Sequence, residues 1–213
     1  MQRSWLDSPS YTIADWIMRL ALLNILWLCF TIIGIIVFGF MPATVAMFTV
    51  IRKLLKKEAT VPLIKTFVST YKKQFFPSNF IGLLLGIFGY VLLVAYTLLG
   101  TISGMMNTML TFTFVFIGMF YISVVLISVP VYVEFELKFF DYFKQCILIS
   151  FINPHIILFM ATGIIGAYFI FTIIPGLTIL VFGSIIATFM MWFTMLACNR
   201  VKKKMGTLEI LSS

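Results

Sequence analysis

Three long stretches of this chain, residues 20–51, 74–133 and 155–199, contain no Asp, Glu, Lys or Arg. One soluble core cannot absorb so much uncharged sequence, whereas ~20 apolar residues are what a helix needs to cross a ~30 Å hydrocarbon layer. Composition agrees: 62% of residues are hydrophobic and 10% charged, against about 25% charged in an average soluble domain. The net charge of +8 does not point to nucleic acid, because the cations stand in short runs beside apolar stretches, the pattern of cytoplasmic loops in membrane proteins. Cys29, Cys146 and Cys198 share no short spacing and imply neither a disulfide framework nor a zinc site. The apolar run after Arg19 exceeds the ~7–15 residues of a secretory h-region, so a retained span is expected there.

The chain reads as all-α: a polytopic integral membrane helix bundle in a single membrane domain, residues 1–213. The first uncharged stretch would be about 48 Å long as one helix at ~1.5 Å per residue, too long for one crossing. Gly34, Gly39 and Pro42 supply a break, predicting a helix over 16–38 and a second over 42–57 opened by Pro42. The second is short and ends in Arg52, Lys53, Lys56 and Lys57. It either crosses fully, giving six transmembrane helices, or only dips in and out, giving five. Further spans are predicted over 78–99, 108–133, 154–174 and 177–198, with turns at Gly100–Asn107 and Pro175-Gly176. Pro130 is expected to kink its helix or mark its exit.

Two segments have amphipathic helical spacing. Over 62–76, Phe67, Tyr71 and Phe75 line one face and Lys65, Lys72 and Lys73 another, as in a helix lying in the interface with its aromatics in the membrane. Over 138–153, Phe139, Phe143 and Ile147 oppose Lys138, Asp141 and Gln145. A shift of 77 residues aligns Pro77 with Pro154, Gly86 with Gly163 and Gly89 with Gly166, suggesting an internal repeat of 62–133 and 138–199. The basic regions at 52–73 and 200–204 belong in the cytoplasm and the uncharged turns outside. The C-terminus is then cytoplasmic, and with six spans so is the N-terminus.

Chemistry is scarce. The uncharged stretches hold no carboxylate for an ion or proton pathway. Asp15 and Glu134 fall at span boundaries, where a solvated charge is the simpler reading. His155 is the only histidine, with no nearby carboxylate to complete a triad and no companion for a metal site. Neither GxxxxGK[ST] nor GxGxxG occurs, so no phosphate-binding loop is expected. No catalytic, cofactor-binding or metal site is assigned, and the chain is not expected to be an enzyme. Gly82, Gly86 and Gly89, with Gly163 and Gly166, are small residues that let helices approach closely in lipid. Asn24, inside the first span, is expected to hydrogen-bond to a neighbouring helix.

The run Asn24-Ile-Leu-Trp27, then Gly39, Pro42-Ala43, Ala46 and Arg52-Lys53, followed by Phe67, Lys72-Lys73 and Phe75, resembles the YesL-like bacterial membrane proteins, a domain of unknown function. In this chain Phe40 and Met41 separate Gly39 from Pro42, where many members have Gly directly before Pro. The resemblance implies a multi-pass protein of a Gram-positive plasma membrane, of a kind encoded beside carbohydrate importers of the ATP-binding-cassette type. The expected function is an accessory or regulatory membrane component associated with carbohydrate uptake, with importer subunits and the lipid bilayer as partners. The alternative is a small-solute transporter or channel in its own right.

Overall fold

The uncharged stretches fold as helix. The computed structural model describes the backbone of residues 9–58, 61–101, 103–135, 139–173 and 175–212, and side chains over 13–58, 61–101, 103–135, 141–169, 171–172 and 180–200. Among these residues there are seven α-helices and no strand: α1 Pro9–Ile33, α2 Val37–Leu55, α3 Leu63–Leu99, α4 Met105–Glu134, α5 Phe139–Ile152, α6 Pro154–Ile173 and α7 Pro175–Ser212. Among the described residues five stretches are long and apolar enough to cross a membrane: Ile13–Ile33, Val37–Leu55, Leu63–Leu99, Met105–Glu134 and Leu180–Arg200. The sixth expected span coincides with α6, which is joined to α5 through an 89° bend. α2 thus has the length and apolarity of a span, at about 28 Å for a ~30 Å layer.

The break between α1 and α2 is sharper and earlier than Pro42 suggested. The amide of Ile36 bonds to the Thr31 carbonyl and that of Ile35 to Ile32, the paired closure of a Schellman motif. Ile35 and Ile36 have φ of 60° and 54°, a left-handed conformation that β-branched residues rarely adopt. Glycines permit the crossing: a Cβ on Gly34 would collide with the backbone of Gly39, and one on Gly39 with the Thr31 carbonyl. α2 therefore begins at Val37, and Pro42 lies inside it. Proline has no N–H to offer the carbonyl four residues back; that carbonyl, of Phe38, instead accepts a bond from Asn79 Nδ2 at 2.8 Å.

One further boundary differs from expectation. Pro77 does not divide a surface helix from a span, because α3 continues through it for 37 residues. Pro130 lies inside α4 four residues before its end at Glu134, close to the expected limit. The two prolines paired by the 77-residue shift stand in different surroundings, Pro77 inside α3 and Pro154 at the start of α6 after the bend.

α2 is the buried centre. Ala43, Ala46, Val50 and Ile51 are fully shielded, packed with Leu23 of α1, Phe67 and Tyr71 of α3 and Ala187 and Met191 of α7. Small residues let these backbones approach, which is where helix association gains in lipid. A second cluster joins Ile127 and Val131 of α4, Cys146 and Ile149 of α5, Met160 of α6 and Cys198 of α7. The aromatic edge of residues 62–76 does not face lipid. Phe67 is fully buried and Tyr71 nearly so, packed at an angle against the Phe30 ring of α1 with centroids 5.4 and 4.9 Å apart. Tyr71 Oη also donates to the Phe30 carbonyl at 3.1 Å, satisfying part of the α1 end.

Candidate functional site: an apolar cavity and a charged clamp

The span residues Asn24, Trp27 and Thr44 meet around a cavity of about 600 Å³ between α1, α2, α3, α4 and α7. Asn24 is buried and its Oδ1 accepts from the backbone N–H of Ser184 on α7 at 3.1 Å, the interhelical bond expected of it. Gly183 makes this possible, since a Cβ there would lie 2.6 Å from Asn24 Oδ1. Trp27 Nε1 donates to Thr44 Oγ1 at 3.0 Å, tying α1 to α2, and its ring meets Phe40 edge-on at 5.8 Å. Thr44 Oγ1 donates to the Phe40 carbonyl, and Tyr121 Oη to the Leu85 carbonyl at 2.7 Å. Ser128, the remaining hydroxyl on the wall, donates to the Val125 carbonyl. Every polar side chain on the wall is therefore engaged within the protein, and what the cavity presents is hydrocarbon and aromatic surface.

A charged clamp closes the end of the bundle where α2 and α4 finish. Arg52 Nε lies 2.7 Å from Glu134 Oε2 and Lys56 Nζ 3.1 Å from Glu134 Oε1. Arg52 also reaches the Glu134 carbonyl at 3.4 Å. The Glu134 side chain is 6% exposed while those of Arg52 and Lys56 are 24% and 33% exposed. The expectation of a solvated boundary carboxylate is thus overturned. Two cations, from the last turn and the C-cap of one helix, hold a sequestered anion at the end of another, where the cations also complement the C-terminal helix dipole of α2.

The other residues singled out in the sequence distribute as follows. Gly39, Pro42 and Ala43 are buried in α2, and Lys53 faces Glu58 at 4.0 Å on the surface, an arrangement of little energetic weight. A Cβ on Gly82 would press on Met41, on Gly89 on Tyr121 and on Gly163 on Phe189. Gly86 and Gly166 have nothing within 4 Å of such a Cβ; a helix-packing role does not hold for these two, and Gly86 lines the cavity instead. Lys65, Lys72 and Lys73 are exposed on α3. Sequence reasoning missed Thr44, Asn79 and Gly183 and gave Glu134 the wrong surroundings. Pro42 inside a helix was the one available signal, because it orphans a carbonyl that something must satisfy. Among the described residues, no group of three His, Cys, Asp or Glu is placed to hold a metal ion.

The family described as a protein of unknown function, DUF624, matches residues 20–96, the part of the chain that holds Asn24, Trp27, Arg52 and the α2–α3 contacts. The uncharacterized protein YteU of Bacillus subtilis (strain 168) is 35% identical over 163 residues, 76% of this chain and 73% of YteU. From the same organism, YesL is 36% identical over 151 residues, 71% of each chain, and YesV 32% identical over 172 residues, 78% of this chain and 80% of YesV; both are likewise uncharacterized. No solved structure matches the chain. With relatives this similar over most of their own length, the chain belongs to the YesL-like DUF624 family.

Proposed function

We propose that this protein is a non-catalytic accessory or regulatory membrane component associated with a carbohydrate importer of the ATP-binding-cassette type, and not itself the path of the sugar. The observation that carries this reading is the wall of the central cavity. A sugar crossing a membrane protein exchanges its water for hydrogen bonds from the protein, and an unpaired hydroxyl in an apolar site costs several kcal/mol. Asn24, Trp27, Thr44, Tyr121 and Ser128 are already engaged with protein partners, and the indole N–H and the three hydroxyl protons are committed to those bonds. The association with an importer draws on the genomic setting implied for YesL-like proteins. A surface suited to a cytoplasmic partner is available in Lys65, Lys72 and Lys73, exposed on α3 with no carboxylate within 4 Å among the described residues. The aromatics that would have laid this face on a bilayer, Phe67 and Tyr71, are spent in the core.

Affinity purification from the native membrane tests the reading. Permease or ATPase subunits should co-purify, and Lys65/Lys72/Lys73→Gln should lower their recovery while the fold survives. Sugar flux by the pure protein in liposomes, without partners, would refute it.

A further inference from the structure

The central cavity is not sealed. Phe40, Met41, Gly82 and Gly86 line both it and a second space of about 740 Å³ between the start of α2 and the middle of α3. That second space is a groove on the outer face, bounded by Phe38, Phe80 and Leu83, which are 58%, 54% and 60% exposed. Both belong to helices with the length and apolarity of membrane spans, so the medium at the mouth of the groove is hydrocarbon. Gly86 supplies the opening, being exposed with no atom within 4 Å of an added Cβ. The flexible side chain of Met41, which lines both spaces and rests on Gly82, stands between groove and interior; methionine adapts readily to such a place.

We propose that this continuous space is a binding site for one acyl chain of a membrane lipid, which enters laterally between α2 and α3 past Met41 and Gly86 and ends against Trp27. The inner volume lies within the ~300–1,000 Å³ typical of small-ligand sites. Its wall offers no polar group without a protein partner, so a hydrocarbon tail satisfies the site and a polar solute does not. The glycines at positions 82 and 86 stand one helical turn apart on the same face of α3 and leave the width that a side chain would fill.

The test uses the full chain with Trp5, Trp16 and Trp192 replaced by Phe, leaving Trp27 as the sole indole, reconstituted in phosphatidylglycerol–phosphatidylcholine vesicles. The phospholipids either are unmodified or carry bromine on the acyl chains, which quenches indole fluorescence on contact. Loss of Trp27 emission in brominated vesicles is expected, with Gly86→Phe restoring it and Gly166→Phe, at an open position on another helix, leaving the loss unchanged. Undiminished emission of the parent protein in brominated vesicles overturns the proposal. So does equal quenching in Gly86→Phe, since contact would then come from lipid outside the cavity. Should Gly86→Phe fail to fold, native mass spectrometry of the wild-type chain decides the matter: one retained phospholipid per chain is expected, and none overturns the site.

Discussion

Asn24 is the residue on which the α1–α7 contact turns, and its environment explains why a glycine is needed opposite. The amide reaches the Ser184 backbone only because position 183 has no side chain. Gly183→Ala would place a methyl group 2.6 Å from the Asn24 oxygen. A close-packed interior resists such an intrusion, so the variant should lose about 1–3 kcal/mol, seen as a lower unfolding midpoint in detergent. In an Asn24→Ala background the same change should cost much less, because the clash has gone. Equal losses in both backgrounds would show that Gly183 is needed for another reason. The opposite sign is expected at Lys57, which has φ of 54° just beyond α2. Glycine adopts that conformation without strain, and Lys57→Gly should leave stability unchanged or raise it by several tenths of a kcal/mol. Asn24 could be singled out in the sequence because a carboxamide in hydrocarbon must find a partner. Gly183 could not, since nothing local distinguishes it from the other span glycines; its meaning comes from a residue on another helix.

At the scale of elements, α2 is held at both ends by groups that pair its irregular features. Near its start, Pro42 withdraws a donor from the Phe38 carbonyl and Asn79 of α3 replaces it at 2.8 Å. Asn79→Leu should therefore cost about 1–3 kcal/mol, the penalty of a polar group left unpaired where the surrounding medium is hydrocarbon. Pro42→Ala in that background restores an N–H within the helix and should recover most of the loss. A double variant no more stable than Asn79→Leu alone would refute the exchange. At its other end, the asymmetry of the clamp sets the order of effects. Glu134 is sequestered whereas Arg52 and Lys56 have partial access to water. Removing Arg52 leaves the sequestered anion with Lys56 as the remaining cation of the clamp, while removing Glu134 leaves cations that can turn outward. Arg52→Met should thus destabilise more than Glu134→Gln, by roughly 1–2 kcal/mol, measured by chemical or thermal unfolding in detergent. The basic block was legible as the limit of an apolar stretch from its four cations. That two of them grip a carboxylate was not, because Arg52 and Glu134 are 82 residues apart and only the return of α4 brings them together. Pro42 misled for a related reason: a proline in a strongly apolar stretch does not end a helix when a neighbouring side chain, here Asn79, satisfies the carbonyl it orphans.

For the whole molecule, the alternation of uncharged stretches and cations made the bundle legible, because the cost of charge in hydrocarbon writes directly into sequence. Helix limits were less so, since charges mark the edge of the hydrocarbon and not the end of a helix. α3 and α7, of 37 and 38 residues, are each about 56 Å long and run well past a ~30 Å layer. For α3 this excess contains Lys65, Lys72 and Lys73, so the first turns of α3 should stand in the cytoplasm beside the α2 cations and the charged clamp. The placement follows from the bias of Lys and Arg toward that side. It requires the α3–α4 turn near Asn107 and the α6–α7 turn near Gly176 to face outward. Single cysteines at these two positions, in a background lacking Cys29, Cys146 and Cys198, should react with a membrane-impermeant maleimide in intact cells. Cysteines replacing Lys57 or Lys72 should react only after permeabilisation. If α2 crosses, as its length of 19 residues allows, the two chain ends lie on the same side, and protease-sensitive tags at both should be cut only in permeabilised cells. An N-terminal tag cut in intact cells, with the C-terminal one protected, would mean that α1 alone crosses and α2 enters and leaves by the same face. Labelling at Lys57 in intact cells would invert the whole arrangement and remove the clamp from the cytoplasmic side.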